Sequence, residues 1–430
     1  MSIQQLVSLK SQAVSFQVLP PLSLYVHIPW CVKKCPYCDF NSHEAKPALS
    51  LSKPVLSLSK PVLSLSKEGE GRIPDMLEKQ YVAALIRDLE MALPQIWGRK
   101  IQTIFFGGGT PSLLSGEAVA EILRQVRMLL PLAMDVEITL EANPGTVEAD
   151  KFAAFREAGV NRLSMGIQSF NDVHLKALGR IHSADEARAA IEIAKRHFDN
   201  INLDLMYALP SQTLEEALQD VQTALSFLPQ HLSCYHLTLE PNTLFYRNPP
   251  SLPDDNASAD MQQAIEALLA ANGYQHYETS AFAKDKRRSR HNLNYWKFGD
   301  YLGIGAGAHS KLSFPDKIIR QARYKQPQAY MQQVALGAPV QVENEVSLDE
   351  LPFEFMMNAL RLNEGFDPAL FGERTSLSLI AIQRELSEAE KRGLLFRDHQ
   401  RIGPTVMGQR FLNDLLEIFL KDEASKFQNL

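Results

Sequence analysis

Cysteine is scarce in this 430-residue chain, with four in all. That is too few for the disulfide framework of a small secreted domain. The N-terminus also lacks a basic n-region and an apolar h-region, so a reducing, cytoplasmic setting is expected. Long hydrophobic runs are missing. No apolar stretch reaches the roughly 18 residues that cross a bilayer, which predicts a soluble protein without a transmembrane segment and leaves peripheral membrane association open. Neither sign of charge dominates: 44 Lys and Arg against 50 Asp and Glu give a formal charge of −6. Nucleic-acid binding driven by bulk charge is therefore not expected. Hydrophobic residues make up 45% of the chain, enough for a real core in one large or two moderate domains.

Three of the four cysteines, Cys31, Cys35 and Cys38, fall in one C-x3-C-x2-C stretch directly after a short apolar strand. Thiolates suit zinc or iron-sulfur clusters. An all-protein cluster site normally has four of them, so three imply a [4Fe-4S] cluster with one iron open to an outside ligand. A Cys3His zinc site using His27 or His43 is the alternative, but zinc sites usually add a second ligand pair farther along, and none follows here. Cys234, alone in Leu-Ser-Cys-Tyr-His-Leu, reads as a buried core residue.

Short β-branched or aromatic runs alternate with amphipathic stretches. Strands are predicted at Leu22 to Ile28, Ile101 to Phe106, Val136 to Leu140, Arg162 to Ile167, Ile201 to Met206 and Leu232 to Leu237. Helical patterns lie near Asp75 to Leu93, Gly116 to Leu130, Val147 to Ala158, Ala184 to His197 and Leu214 to Leu228. Such alternation predicts an α/β fold with a parallel sheet of right-handed βα units, here a partial (β/α)6 barrel. Active sites in barrels sit at the C-terminal strand ends, where Cys31 falls. Ala48 to Glu68 interrupts the order with a seven-residue Leu-Ser-rich unit repeated three times. Pro54 and Pro61 recur inside it and oppose a helix, so it reads as an inserted low-complexity loop, within an insertion of about 45–72.

Gly107-Gly108-Gly109-Thr110-Pro111 ends the second strand. Without Cβ atoms there a ligand can approach the backbone closely, although an ordinary tight turn would look the same. No Gly-Lys-Ser/Thr follows, so it is not a P-loop. Glu141, Gln168 and Asp204 stand at or near later strand ends, and Arg180 comes twelve residues after Gln168. Together they could surround one ligand at the barrel mouth. Gly303 to Ala308 formally matches a dinucleotide fingerprint, but no strand-and-helix context frames it and residues 321–330 hold no acid. It is expected to be a glycine-rich turn lining the site.

These motifs resemble the radical S-adenosylmethionine (SAM) enzymes, and within them the family of oxygen-independent coproporphyrinogen III oxidase and its haem-chaperone relatives. The likeness rests on His27-Ile28-Pro29, the cysteines, Gly-Gly-Gly-Thr-Pro, Ser164 to Phe170 and Asp204 to Tyr207, and spans roughly residues 20–420 apart from the repeat. It implies SAM contacts by Tyr25, Tyr37, Gly108, Gly109, Thr110, Glu141, Gln168, Arg180 and Asp204. It also implies an electron donor. The oxidases carry a further cysteine two residues after the third, where this chain has Phe40. His291-Asn292-Leu293-Asn294-Tyr295-Trp296 matches the H-N-x-x-Y-W motif that the family associates with haem, so His291, Asn292, Tyr295 and Trp296 are the implied haem residues. An imidazole can ligate haem iron and adjacent aromatics can pack on the macrocycle. The basic run Lys284, Lys286, Arg287, Arg288 and Arg290 could meet its propionates, or simply form a solvated loop.

The resemblance thus favours a chaperone that delivers haem to client respiratory enzymes, with coproporphyrinogen decarboxylation and a structural zinc protein as alternatives. The expected organisation is an N-terminal extension (1–20), the radical SAM partial barrel (21–250), a barrel extension with the H-N-x-x-Y-W motif (251–330) and a small helical, winged-helix-like C-terminal domain (331–430). In that last part helices are predicted at Leu351 to Leu362, Ser376 to Arg392 and Val406 to Leu420, with a strand at Leu394 to Phe396. Residues 373–422 carry eight basic and eight acidic side chains, a balance that disfavours DNA binding.

Overall fold

The computed structural model describes residues 14–45, 73–145 and 149–420. The predicted repeat at Ala48 to Glu68 lies outside the described residues, as does the start of the helix expected from Val147.

The six expected strands are present: β1 (Leu22–Ile28), β2 (Ile101–Gly108), β3 (Leu132–Ala142), β4 (Arg162–Gln168), β5 (Ile201–Tyr207) and β6 (His231–His236). They pair in parallel in that order. β1 and β5 are buried along nearly their whole length, as expected of strands covered on both faces. The covering helices are amphipathic. In Ala184–His197, Ser183 and Glu186 form a capping box, and Ala187, Ala190, Ile191 and Ala194 turn one stripe into the core.

The sheet does not stop at six. β7 (Gln275–Glu278) and β8 (Ala281–Ala283) extend it antiparallel beyond β6, while β9 (Asp300–Ile304), β10 (His309–Ser313), β11 (Ile318–Arg323) and β12 (Val340–Glu345) extend it beyond β1. β9 runs parallel to β1 and the rest of that wing is antiparallel. The result is one twelve-stranded open sheet, ordered β12-β11-β10-β9-β1-β2-β3-β4-β5-β6-β8-β7, whose central part is the partial barrel.

Three expectations need correction. Gly303 and Ile304 belong to β9, and the following turn supports the cysteine loop instead of lining the main cavity. Tyr81 O–H donates to His27 O at 2.8 Å while accepting from Ala306 N–H at 2.8 Å. The helix expected from Ser376 is broken. Pro368–Thr375 is a separate helix with Asp367 as its N-cap and Pro368 at its first position. Ser376, at φ 59°, ends it, and the next α-helix is Gln383–Lys391. The last predicted helix is likewise two, Val406–Arg410 and Leu412–Glu417, divided at Phe411 (φ −112°, ψ 49°).

These C-terminal helices share a second core in which Phe355 meets Phe366 and Phe371 edge-on, with ring centroids 5.1 and 5.2 Å apart. Val14 packs into it. Among the described residues no helix is long and apolar enough to cross a membrane.

Candidate functional site

The cysteine loop leaves β1 and returns beside it. Trp30 and Cys31 pair in parallel with His43 and Glu44, which pins both ends. From below, His27 joins the Tyr25 hydroxyl (3.0 Å from Nδ1) to Asn41 O (2.9 Å from Nε2). Burial lowers the His27 pKa to about 4, against a smaller opposing effect of the Asn41 carbonyl, so the bridge is made by a neutral ring. From the side, Asn41 Nδ2 donates to Ala306 O (2.9 Å) and Lys325 O (3.0 Å).

Close packing at the next strand end requires the glycines. A Cβ on Gly108 would lie 2.5 Å from the His27 ring, and one on Gly109 would lie 2.5 Å from Trp30 O. Gly109 N–H can then donate to Ile28 O and Thr110 N–H to Trp30 O, both at 2.7 Å. The motif thus fits two strand ends together as well as opening the site. Gly108 N–H points at Glu141 Oε2, 3.3 Å away.

All nine residues assigned to SAM and all three motif cysteines border one cavity of about 710 Å³. Thr110 Oγ donates to Cys31 Sγ at 3.5 Å, and Arg180 Nη1 lies 3.8 Å from Cys35 Sγ. Burial raises the pKa of both Cys31 and Cys38. Arg180, half-buried, is held by Asn143 Oδ1 (2.6 Å) and Gly166 O (2.8 Å) with its Nε unpartnered. A guanidinium and a hydroxyl beside exposed-edge thiols suit an anionic iron-sulfur cluster. Among the described residues no three His, Cys, Asp or Glu side chains converge on a single-ion position. Cys234 faces the core instead, its thiol pushed up to about 12 by burial, with a further contribution from Asp204.

Glu141 and Asp204 bring two carboxylates to the same cavity. Burial and the nearby Asp204 carboxylate raise the Glu141 pKa to about 8. Asp204 is also raised by burial, against hydrogen bonds from Asn202 (2.8 Å) and Ser164 (3.1 Å). Burial disfavours the charged form of both carboxylates and Arg162, in the same lining, only partly offsets it, so a cationic ligand here would favour their ionised forms. Gln168 has φ 68° at the end of β4, a strained conformation for a non-glycine residue in a cavity wall.

The H-N-x-x-Y-W residues lie on the short helix Arg290–Trp296, capped by Ser289 and by Glu137, which accepts from the His291 and Arg290 N–H groups. His291, Asn292, Tyr295 and Trp296 all border the same cavity. His291 is buried, with Nδ1 2.7 Å from Thr103 Oγ1 and its ring stacked on Phe105 at 4.9 Å. Burial lowers its pKa to about 3, and Nε2 has no partner. Trp296 lies under the Arg361 guanidinium, 4.3 Å from the ring centroid. The basic run has other partners: Arg288 pairs with Glu364 (2.9 Å), Arg290 with Asp135 (3.0 Å), and Lys284 lies over Tyr274.

Residues 25–224 match the radical SAM superfamily and residues 346–411 the HemN C-terminal domain. The chain is 48% identical over 408 residues to the heme chaperone HemW of Escherichia coli K12, covering 94% of this chain and 99% of that protein. It is 45% identical to the heme chaperone HemW of Haemophilus influenzae, with the same coverage. This chain belongs to the HemW family of radical SAM proteins. The solved structure of the coproporphyrinogen III oxidase HemN from Escherichia coli superposes with a TM-score of 0.73 at 24% identity, covering 93% of this chain and 90% of that one, which shows the shared fold. Membership of the radical SAM superfamily implies a [4Fe-4S] cluster and SAM, and the cavity described above has the donors to hold both.

Several cavity residues went unread in the sequence. Arg162 and Ser164 precede Gly166 and Gln168 on the inward face of β4; Asn202 precedes Asp204 on β5; His231 and Ser233 line β6. The signal was present. Successive side chains alternate across a strand, so stepping back by twos from Gln168 and Asp204 reaches Arg162 and Asn202. A polar chain then crosses the floor: His231 joins Asn202 Oδ1 (2.6 Å) to the Tyr277 hydroxyl (2.8 Å), which accepts from Ser289 N–H at the start of the motif helix (3.2 Å).

Proposed function

We propose that this protein is a haem chaperone that holds a [4Fe-4S] cluster, SAM and haem and passes the haem to client enzymes, respiratory ones among them. The observation that carries the reading is the placement of the H-N-x-x-Y-W helix in the wall of the cavity bordered by the three motif cysteines. Likeness to proteins named heme chaperones supports it.

Cys31, Cys35 and Cys38 would ligate three irons of the cluster. When bound, a cluster of this kind supplies an electron, drawn from a donor protein, that can cleave SAM. Glu141, with Asp204 beyond it, offers carboxylate to the SAM ammonium, and Arg180 places positive charge beside the thiolates. Tyr25, Tyr37, Gly109, Thr110 and Gln168 shape the remaining wall. Tyr295, which borders both cavities, presents aromatic surface toward haem, and Trp296 completes the wall on the cysteine side.

The test is anaerobic reconstitution followed by three assays. Haem should bind, bound haem should transfer to an apo haem enzyme, and coproporphyrinogen III with SAM and a reductant should not yield protoporphyrinogen IX. Formation of protoporphyrinogen IX would overturn the chaperone reading in favour of the oxidase, whose fold this chain shares.

A further inference from the structure

A second cavity, of about 550 Å³, opens on the other side of the cysteine loop. Tyr25, Asp39, Phe40, Ser42 and Tyr295 border both cavities. The segment just after Cys38 is therefore a partition, seen from the cluster side and from the far side.

The chemistry of the far side differs from that of the main cavity. Three imidazoles, His27, His43 and His309, face it together with the ammonium groups of Lys34 and Lys325. The imidazoles are close enough for His309 and His43 each to depress the His27 pKa. They are not equally free. Both His27 nitrogens are engaged, and His43 Nε2 lies 3.3 Å from Lys325 O. His309, exposed at the start of β10 and paired through its backbone with Ala322, makes no side-chain hydrogen bond among the described residues. Tyr295 and Tyr301 contribute ring surface, with centroids 4.4 Å apart, and Phe40 is 65% exposed at the rim.

The main cavity has a competing claim on its space. A volume of 710 Å³ lies within the usual range of roughly 300–1,000 Å³ for a single cofactor-sized ligand, and cluster and SAM together would occupy it. Three imidazoles line it: His291, buried with Nδ1 tied to Thr103 and Nε2 unpartnered, His231, bonded through both ring nitrogens, and His236, exposed at the end of β6. Lack of space and not lack of a ligand is therefore what counts against it. A flat iron-bearing macrocycle with two carboxylates needs an accessible imidazole, cations near one edge and aromatic faces. The second recess has all three.

We propose that haem docks in this second recess, with His309 as axial ligand, Lys34 and Lys325 facing the propionates, and Tyr295 and Phe40 against the macrocycle. The proposal rests on the haem-chaperone reading and places the cargo outside the SAM cavity. The H-N-x-x-Y-W motif then contributes through Tyr295, which His291 steadies by an edge-on ring contact at 5.1 Å. Haem in this position lies against residues 39–42, directly after a cluster ligand, so cargo and cluster share one loop.

The full chain, reconstituted anaerobically with its cluster, would be titrated with haemin and separately with iron-free protoporphyrin IX. His309→Ala is expected to shift the Soret band and weaken haemin binding about tenfold or more, the loss of one iron ligand. Protoporphyrin IX affinity and iron-sulfur content should stay unchanged, and added imidazole should restore the Soret position. The double change Lys34→Glu with Lys325→Glu should weaken both porphyrins about tenfold through lost carboxylate pairing. His291→Ala should keep the wild-type Soret position. If the wild type binds haemin but its spectrum and affinity are indifferent to His309→Ala and to the charge reversal, or if His291→Ala alone abolishes the ligation signature, the recess is not the site and the chaperone reading stands. A wild type that binds no haemin overturns both.

Discussion

Residues decide the chemistry here through burial. Cys31, Cys35 and Cys38 border the cavity while Cys234 is in the core. Each motif Cys→Ala is therefore expected to abolish the cluster, and Cys234→Ala to leave about four iron and four sulfide per chain, measured after reconstitution. Glu141 carries a pH signature. Its folded-state pKa of about 8 exceeds the ordinary 4.5, so the apo fold binds that proton more tightly than the unfolded chain does. Stability from this group is full below 4.5 and is lost as pH rises through 8. Glu141→Gln should remove that part of the pH dependence, seen in urea midpoints between pH 6 and 9 on the apo protein. For the wild type, SAM affinity should rise over the same interval as the carboxylate ionises to meet the cationic ligand. A pH-independent affinity would remove Glu141 from the ammonium contact.

At the scale of elements, buried charge joins the barrel to its antiparallel wing. Asp88, on helix Asp75–Ala92, accepts from Arg323 of β11 (3.2 Å), from the Tyr330 hydroxyl (2.9 Å) and from Gly305 N–H (3.3 Å). Asp88 and Arg323 have side chains 0% and 1% exposed. Such a pair adds little over an apolar one, but removing one partner strands the other's charge. Asp88→Ala should therefore cost about 3–5 kcal/mol, read as a lower urea midpoint. The cost should fall when Arg323→Met is added, as a double-mutant cycle would show. A small effect in Asp88→Ala alone would mean that water reaches Arg323.

For the whole molecule, the repeat is expected to be dispensable. Its alternating Leu and Ser residues and recurrent prolines offer no helical core face, and the entropic cost of loop length is only logarithmic. Deleting residues 49–67 should leave the thermal midpoint within a few degrees and the reconstituted cluster intact. Loss of soluble protein or of cluster would make the repeat part of the core. The described sheet is continuous from β12 to β7 without it.

Local regularities made much of this protein readable in its sequence. The spacing of Cys31, Cys35 and Cys38 does not depend on the rest of the fold, and a βα alternation with period-two and period-3.6 patterns specifies parallel units wherever it occurs. Glu141, Gln168 and Asp204 were visible because polar residues at or near strand ends interrupt apolar runs, whereas Arg180, in the loop after the helix Asp172–Ala177, was reached only by its distance from Gln168 and by family resemblance. The antiparallel wing, the second recess and the partners of His291 were not. Each depends on contacts between residues far apart in the chain: β9 chooses β1, Asp88 meets Arg323, and Lys34 and Lys325 converge across the cysteine loop. Short strands such as β8 carry too few residues for a period to show. The Ser376 and Phe411 breaks in the C-terminal helices are backbone conformations that serine and phenylalanine do not announce. A motif can name its residues, but only packing decides that Tyr295 borders both cavities while His291 stays buried beside Phe105, because burial is a property of what surrounds a side chain.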